Sequence, residues 1–110
     1  MDNNIKQIYQ TELKRGTLIL LVLSQLNEKE YGYSLLQKLV DKHVEIEAGT
    51  LYPLMRRLET QGVLTSEWVT TTSRPRKYYI LSEFGRELYE YLKEEFNKMT
   101  NEVKQLVRGN

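Results

Sequence analysis

The amino-acid sequence predicts a mainly α fold with one small β-hairpin, of the α+β class, ending in a long helix. Apolar residues recur at helical spacing from Ile5 to Leu58, strand-forming residues replace them between Val63 and Ile80, and a last run from Phe84 to Leu106 returns to helical spacing. The 110 residues, 40% of them hydrophobic with a formal net charge of +1, suffice for one core and one domain. The same figures argue against disorder, which needs low hydrophobicity with a large net charge.

The elements follow in order. Ile5, Ile8, Tyr9 and Leu13 fall on one helical face and Leu18 to Leu23 are apolar all round, so Ile5 to Leu26 is expected to form one helix, with Gly16 a weak spot. Asn27 to Glu30 is a polar break. Tyr31-Gly32-Tyr33-Ser34 opens a second, short helix that carries Leu35, Leu36, Leu39 and Val40 and ends near Lys42. A third helix with Leu51, Leu54, Met55 and Leu58 on one face stops at Gly62, in the position after the cap that favours a left-handed residue. Pro53 is tolerated only near the first turn, which puts the start of that helix no earlier than about Gly49. Two strands, Leu64 to Thr70 and Arg76 to Ile80, flank the polar tip Thr71-Thr72-Ser73-Arg74-Pro75. Ser82 is a cap for the last helix, with Glu83 complementing its dipole. In that helix Phe84, Leu88, Leu92, Phe96, Met99, Val103 and Leu106 are spaced 4, 4, 4, 3, 4, 3, and the second half has the 3.5-residue period of a helix packing along another helix. At about 1.5 Å per residue such a helix overhangs a small domain, so its apolar stripe needs a partner.

Helix, short helix, tight turn, helix and hairpin is the order of a winged helix-turn-helix. The single domain divides into residues 1–30, an N-terminal helix for core and dimer contact; residues 31–81, the helix-turn-helix and wing; and residues 82–110, a C-terminal dimerisation helix. In this arrangement the third helix fits the major groove of duplex DNA, and the hairpin reaches to the sugar-phosphate backbone or minor groove. The outward face of the third helix is expected to carry Gly49, Thr50, Tyr52, Pro53 and Arg56, with Arg57 nearby. Arg reads guanine bidentately and Tyr or Thr holds phosphate, while Gly49 and Pro53 permit close approach. Arg74-Pro75-Arg76-Lys77 puts three positive charges in four residues with no acid nearby, a self-repelling cluster unless it meets an anion. A solvated helix face for Arg56 and Arg57, and an edge that merely resists aggregation for the wing, are the blander readings. Tyr31 and Tyr33 flank the start of the second helix, either as a phosphate seat or as packing residues. One of Tyr78 and Tyr79 belongs in the core, and Trp68 is expected in the core or an interface.

Other classes find little support. With no cysteine there is no disulfide scaffold, cysteine nucleophile or thiolate metal site. His43 is the single histidine and has no Ser or Cys arrangement to act upon, so a structural role is expected and the chain is not an enzyme. There is no phosphate-binding Gly-rich loop or His pair for a metal, and no cofactor is expected. Glu94 to Lys98 is expected to support the last helix as an i,i+4 pair on its solvated face. The start Met1, Asp2, Asn3, Asn4 lacks the pattern of a secretory signal, and the longest apolar run, Leu18 to Leu23, is six residues. A soluble cytoplasmic protein with no membrane partner is the expectation.

The motifs Tyr31-Gly32-Tyr33-Ser34-Leu35-Leu36, Gly49-Thr50-Leu51-Tyr52-Pro53-Leu54-Met55-Arg56-Arg57-Leu58-Glu59, Gly62-Val63-Leu64, Arg76-Lys77-Tyr78-Tyr79 and Leu81-Ser82-Glu83-Phe84-Gly85 together resemble the signature of PadR-type transcriptional regulators. The resemblance implies a winged helix-turn-helix homodimer in which the last helix packs against the partner's first and last helices. It also implies a bacterial repressor that binds a palindromic operator and releases it on meeting a small molecule or other signal. The short chain is similar to the subgroup with a single C-terminal helix. Glu47 stands where many members carry a Ser cap, and Phe96 where a drug-binding branch carries a Trp that stacks on flat ligands.

The expected function is therefore sequence-specific binding of double-stranded DNA as a homodimer on an inverted repeat, with Tyr33, Gly49, Thr50, Tyr52, Pro53, Arg56, Arg74, Arg76 and Lys77 at the DNA. Leu92, Phe96, Met99, Val103 and Leu106 form the dimer seam, and Leu13, Val22, Phe96 and Met99 line a candidate pocket for a small-molecule effector. About four neutralised phosphates per subunit give a salt slope near −7 for the dimer. A ligand sensor, or a winged-helix module for protein assembly without DNA, are the alternatives. Charge position supports the first: residues 1–62 hold eight positive and eight negative charges, residues 63–81 carry a net +2, and residues 82–110 a net −1.

Overall fold

The computed structural model describes residues 1–71 and 73–108; Thr72 of the expected hairpin tip and residues 109–110 of the expected C-terminal segment lie outside the described residues. Among the described residues, five helices and three short strands are arranged as a winged helix with a long C-terminal helix: α1 (Asn3–Arg15), α2 (Leu18–Ser24), β1 (Glu30–Tyr31), α3 (Gly32–Asp41), α4 (Ala48–Thr60), β2 (Leu64–Val69), β3 (Arg76–Leu81) and α5 (Glu83–Val107). The sheet is antiparallel in the order β1-β3-β2. None of the described helices is long and apolar enough to cross a membrane.

The single N-terminal helix expected from Ile5 to Leu26 is two helices. The Thr17 amide and hydroxyl both bond back to the Lys14 carbonyl, at 3.0 and 2.8 Å, which closes α1, and the Leu21 amide then reaches the Thr17 carbonyl to start α2. The division separates two environments. The second helix buries Val22 and Leu23 completely, whereas α1 has no buried residue and leaves Ile8 52% and Leu13 83% exposed.

Ser34 starts α3 by accepting the Tyr31 amide and donating to the Tyr31 carbonyl, both at 3.0 Å. Both helices of the helix-turn-helix end in one geometry. His43 (φ 65°) and Gly62 (φ 79°) are left-handed, and in each case the next amide reaches back to the third residue from the helix end, Val44 to Leu39 and Val63 to Leu58, at 2.9 Å. The fourth helix begins at Ala48, one residue before the expected start, with Glu47 as its cap position but no side-chain bond from it. Pro53 therefore sits beyond the first turn, where the Gly49 carbonyl loses its helical donor. That carbonyl belongs to an exposed residue, while Leu51, Leu54, Met55 and Leu58 on the opposite face are buried and hold the helix in place.

The core lies between α2, α3, α4 and the inner end of the sheet, with Leu26, Leu35, Leu51 and Leu64 almost wholly enclosed. Strand β1 occupies part of the expected polar break, pairing Glu30 with Tyr79 and Tyr31 with Tyr78. Ser82 caps α5 by accepting the Gly85 amide at 2.9 Å and donates back to the Gly62 carbonyl at 2.6 Å. A Cβ at Gly85 would stand 2.0 Å from the Val63 carbonyl oxygen, so glycine is required where α5 crosses the turn leading into β2. Along α5, Leu88 and Leu92 pack on the core and the later apolar residues do not: Phe96 is 40%, Met99 59% and Val103 55% exposed. The expected Glu94 to Lys98 pair is replaced by Glu95 to Lys98 at 3.5 Å and Glu90 to Lys93 at 3.3 Å, one residue closer in sequence.

Candidate nucleic-acid interface

The exposed face of α4 presents Gly49, Thr50, Pro53, Arg56 and Arg57. Tyr52 differs: it is half-buried against the core, and its ring lies so close to Gly32 that a Cβ there would come within 2.9 Å. Gly32 thus lets the N-terminus of α3 seat directly on the Tyr52 ring. Tyr33, one residue on, is exposed.

The hairpin stands beside this face. Its register pairs Leu64 with Leu81, Ser66 with Tyr79 and Trp68 with Lys77, which places Ser66, Trp68, Lys77 and Tyr79 on one side and Arg76 and Tyr78 on the other. A cavity of about 400 Å³ opens between α3, α4 and the wing, and Tyr33, Tyr52, Arg56, Trp68, Arg76 and Lys77 all border it. Five of the nine residues expected at DNA are thereby gathered around one cleft. Gly49 and Thr50 lie at the start of α4, and Arg74 and Pro75 at the exposed end of the hairpin, with Pro75 reaching the cleft rim.

Of the wing and its neighbours, Lys77 departs from expectation, while Trp68 and Tyr31 fall within the alternatives open to them. Trp68 is 65% exposed, so the core place is ruled out and the interface place stays open, because its partner Lys77 lies in the outer half of the hairpin beyond the buried rungs. Tyr31 packs against the sheet, meeting Tyr78 edge-on at 5.3 Å and carrying the Arg76 guanidinium 4.5 Å over its ring, and it also borders the cleft. The expectation that the wing cations have no acid nearby fails at Lys77, whose Nζ donates to Glu59 Oε1 at 2.8 Å. Ser66 Oγ donates to the other oxygen of the same carboxylate. The Lys77 bond first, and the Ser66 bond after it, hold the Glu59 carboxyl below the usual carboxylate range, and the bond to Glu59 raises Lys77 above the usual lysine range. Glu59 was not among the expected site residues. Its partners are seven and eighteen residues away, so only the sheet register brings them together.

A second concavity, about 440 Å³, runs between the end of α1, α2 and the outer half of α5, bordered by Leu13, Leu20, Phe96, Met99 and Val103. Val22, expected here, is instead fully buried in the core. On α2 the groove is lined by Ile19 and Leu20, while Val22 and Leu23 turn inward. Among the described residues no group of His, Cys, Asp or Glu is placed to hold a metal ion.

A winged helix with a cationic, aromatic-lined cleft between α4 and its wing defines the class. The chain belongs to the transcriptional regulator PadR-like family, whose model matches residues 19–91. It is 34% identical over 76 residues to the transcriptional regulator Rv3488 of Mycobacterium tuberculosis, covering 68% of this chain and 71% of that protein. Its fold is similar to that of a PadR family transcriptional regulator from Eggerthella lenta, at 45% identity and TM-score 0.93 over 98% of this chain and 96% of the other. A PadR-like transcription factor from Bacteroides fragilis matches at 30% identity and TM-score 0.76, over 89% and 97% of the two chains. The protein is a transcriptional regulator and not an enzyme.

Proposed function

We propose that this chain is a cytoplasmic repressor that binds an inverted-repeat DNA operator as a homodimer and is released by a small molecule. The observation that carries the DNA reading is the convergence of Arg56 on α4 and Arg76 on the wing at one cleft, beside the exposed Tyr33. A helix in the major groove with Arg56, Thr50 and Gly49 toward the bases, and a hairpin with Arg74 and Arg76 toward the phosphates, is the division of labour this geometry supports. Tyr52 contributes by seating α3 on α4, and its side chain borders the cleft.

Homodimerisation is supported by what the single chain leaves uncovered. The first helix buries nothing, and the apolar residues of the outer half of α5 stand open beside it. Water contact with two such faces is costly at roughly 25 cal/mol per Å² of apolar surface, and a second copy supplies the matching faces. Two-fold pairing sets the α4 helices to successive major grooves about 34 Å apart, hence the inverted repeat. The groove beside Leu13, Phe96 and Met99 lies at this seam, where an apolar effector would alter the spacing of the two α4 helices. Fluorescence anisotropy with a duplex selected by the protein from a random-sequence pool tests the reading: saturable binding of two chains per duplex is expected, and no binding at about 50 mM salt sinks it.

A further inference from the structure

One carboxylate joins three elements of the DNA-facing unit. Glu59 lies in the last turn of α4, Ser66 on β2 and Lys77 on β3, and both hydroxyl and ammonium donate to that carboxylate. Lys77 Nζ also stands 5.2 Å over the Tyr79 ring, so its position is held from two sides. The hairpin is anchored at its inner end, where Leu64 and Leu81 are buried, and exposed at its outer end, where Trp68 and Arg76 stand. The tie to Glu59 reaches from the middle rung at Ser66 to the outer rung at Lys77.

We propose that Glu59 is a positioning residue that fixes the angle of the wing against α4, and that Lys77 serves as its strut and not as a phosphate ligand. To reach a phosphate Lys77 would leave Glu59, exposing a carboxylate to DNA; while it stays, the pair is neutral and adds nothing to counterion release. The leverage is geometric. Arg74 lies three residues beyond Lys77, about 10 Å along the hairpin, so a swing of about 15° moves it by about 2.5 Å, enough to break a hydrogen bond to a phosphate. Arg74 and Arg76 thus depend on Glu59 for their placement. The consequence for DNA rests on the DNA-binding reading, whereas the strut itself is a property of the free protein.

Glu59→Gln, Lys77→Met and the exchanged pair Glu59→Lys with Lys77→Glu separate these roles. In the free protein, Glu59→Gln is expected to speed amide hydrogen exchange in the outer half of β2 and β3 by about three- to tenfold while α3 and α4 exchange as before, and the exchanged pair to restore slow exchange. On a duplex selected by the wild-type protein, both single variants are expected to bind about 5- to 20-fold more weakly with the same salt slope, with recovery in the exchanged pair. Unchanged hairpin exchange in Glu59→Gln overturns the strut. A slope flattened by about 2 for the Lys77→Met dimer overturns it too, because that is the change expected if each subunit's Lys77 had been neutralising a phosphate. Should the wild-type protein bind no DNA, the DNA-binding reading falls while the exchange data still decide the strut.

Discussion

His43 performs the chain reversal after α3 that Gly62 performs after α4, yet it does so with a side chain in left-handed backbone. That conformation costs a non-glycine residue roughly 1–2 kcal/mol, and glycine's extra chain entropy costs about 0.5–1, so His43→Gly is expected to stabilise the fold by about 0.5–1 kcal/mol in urea unfolding. Gly85→Ala is expected to destabilise by about 2–3 kcal/mol, since its methyl group would meet the Val63 carbonyl and only a backbone shift could relieve the clash. For Glu59 the sign follows from its depressed carboxyl: the tie is complete above the ordinary Glu value of about 4.3 and is lost as pH falls through the lower folded value. Lys77, raised by the same bond, loses the tie only as pH rises past its folded value, above the ordinary value of about 10.4. Hairpin exchange protection is therefore expected to be flat from about pH 5 to 9 and to drop at acid pH, and to be insensitive to acid in Glu59→Gln. The left-handed turn at Gly62 was legible from residue type; the one at His43 was not, because histidine, though enriched in that region among side-chain-bearing residues, signals it far more weakly than glycine. Glu59 stayed hidden for a different reason, that its partners adjoin it only through the β2 and β3 register.

At the scale of elements, periodicity marked α3, α4, both hairpin strands and α5 to within a residue or so of their limits. The break between α1 and α2 was legible only as a weak glycine, because the closing bonds come from Thr17, whose hydroxyl competes with the helix for the Lys14 carbonyl. Strand β1 is two residues long and exists because β3 offers it an edge, so no pattern of its own foretells it. The wing is where element and function meet. Replacing Arg74 and Arg76 by Ala is expected to weaken binding to all DNA sequences alike and to reduce the steepness of the salt dependence by about 4 in the dimer, as read from anisotropy titrations at several salt concentrations. An unchanged slope would remove the wing from the phosphate backbone. Arg76 additionally loses its stack on Tyr31 in that variant, an interaction worth about 0.5–1 kcal/mol at an exposed site.

The whole molecule is lopsided: its compact winged-helix body is closed by a real core, while α1 and the outer half of α5 carry apolar faces that this body cannot cover. Sedimentation is expected to report a dimer, and Met99→Glu with Val103→Glu to raise its dissociation constant by about 100-fold or more, because two carboxylates per chain would lose water in an apolar seam. A monomeric wild-type protein would contradict the pairing. The near-zero net charge conceals the arrangement that matters, since the net positive charge lies in residues 63–81, which hold the wing, while the last segment is slightly acidic. Most of this division was legible along the chain; the neutralisation of Lys77 was not, and it lowers the expected number of phosphate-facing cations from about four to about three per subunit. The salt dependence of binding to a selected duplex is the measurement that bears most directly on the account. Two chains per duplex with a log–log slope of about −5 is the predicted result, and a slope near zero, or no saturable binding at low salt, would contradict it.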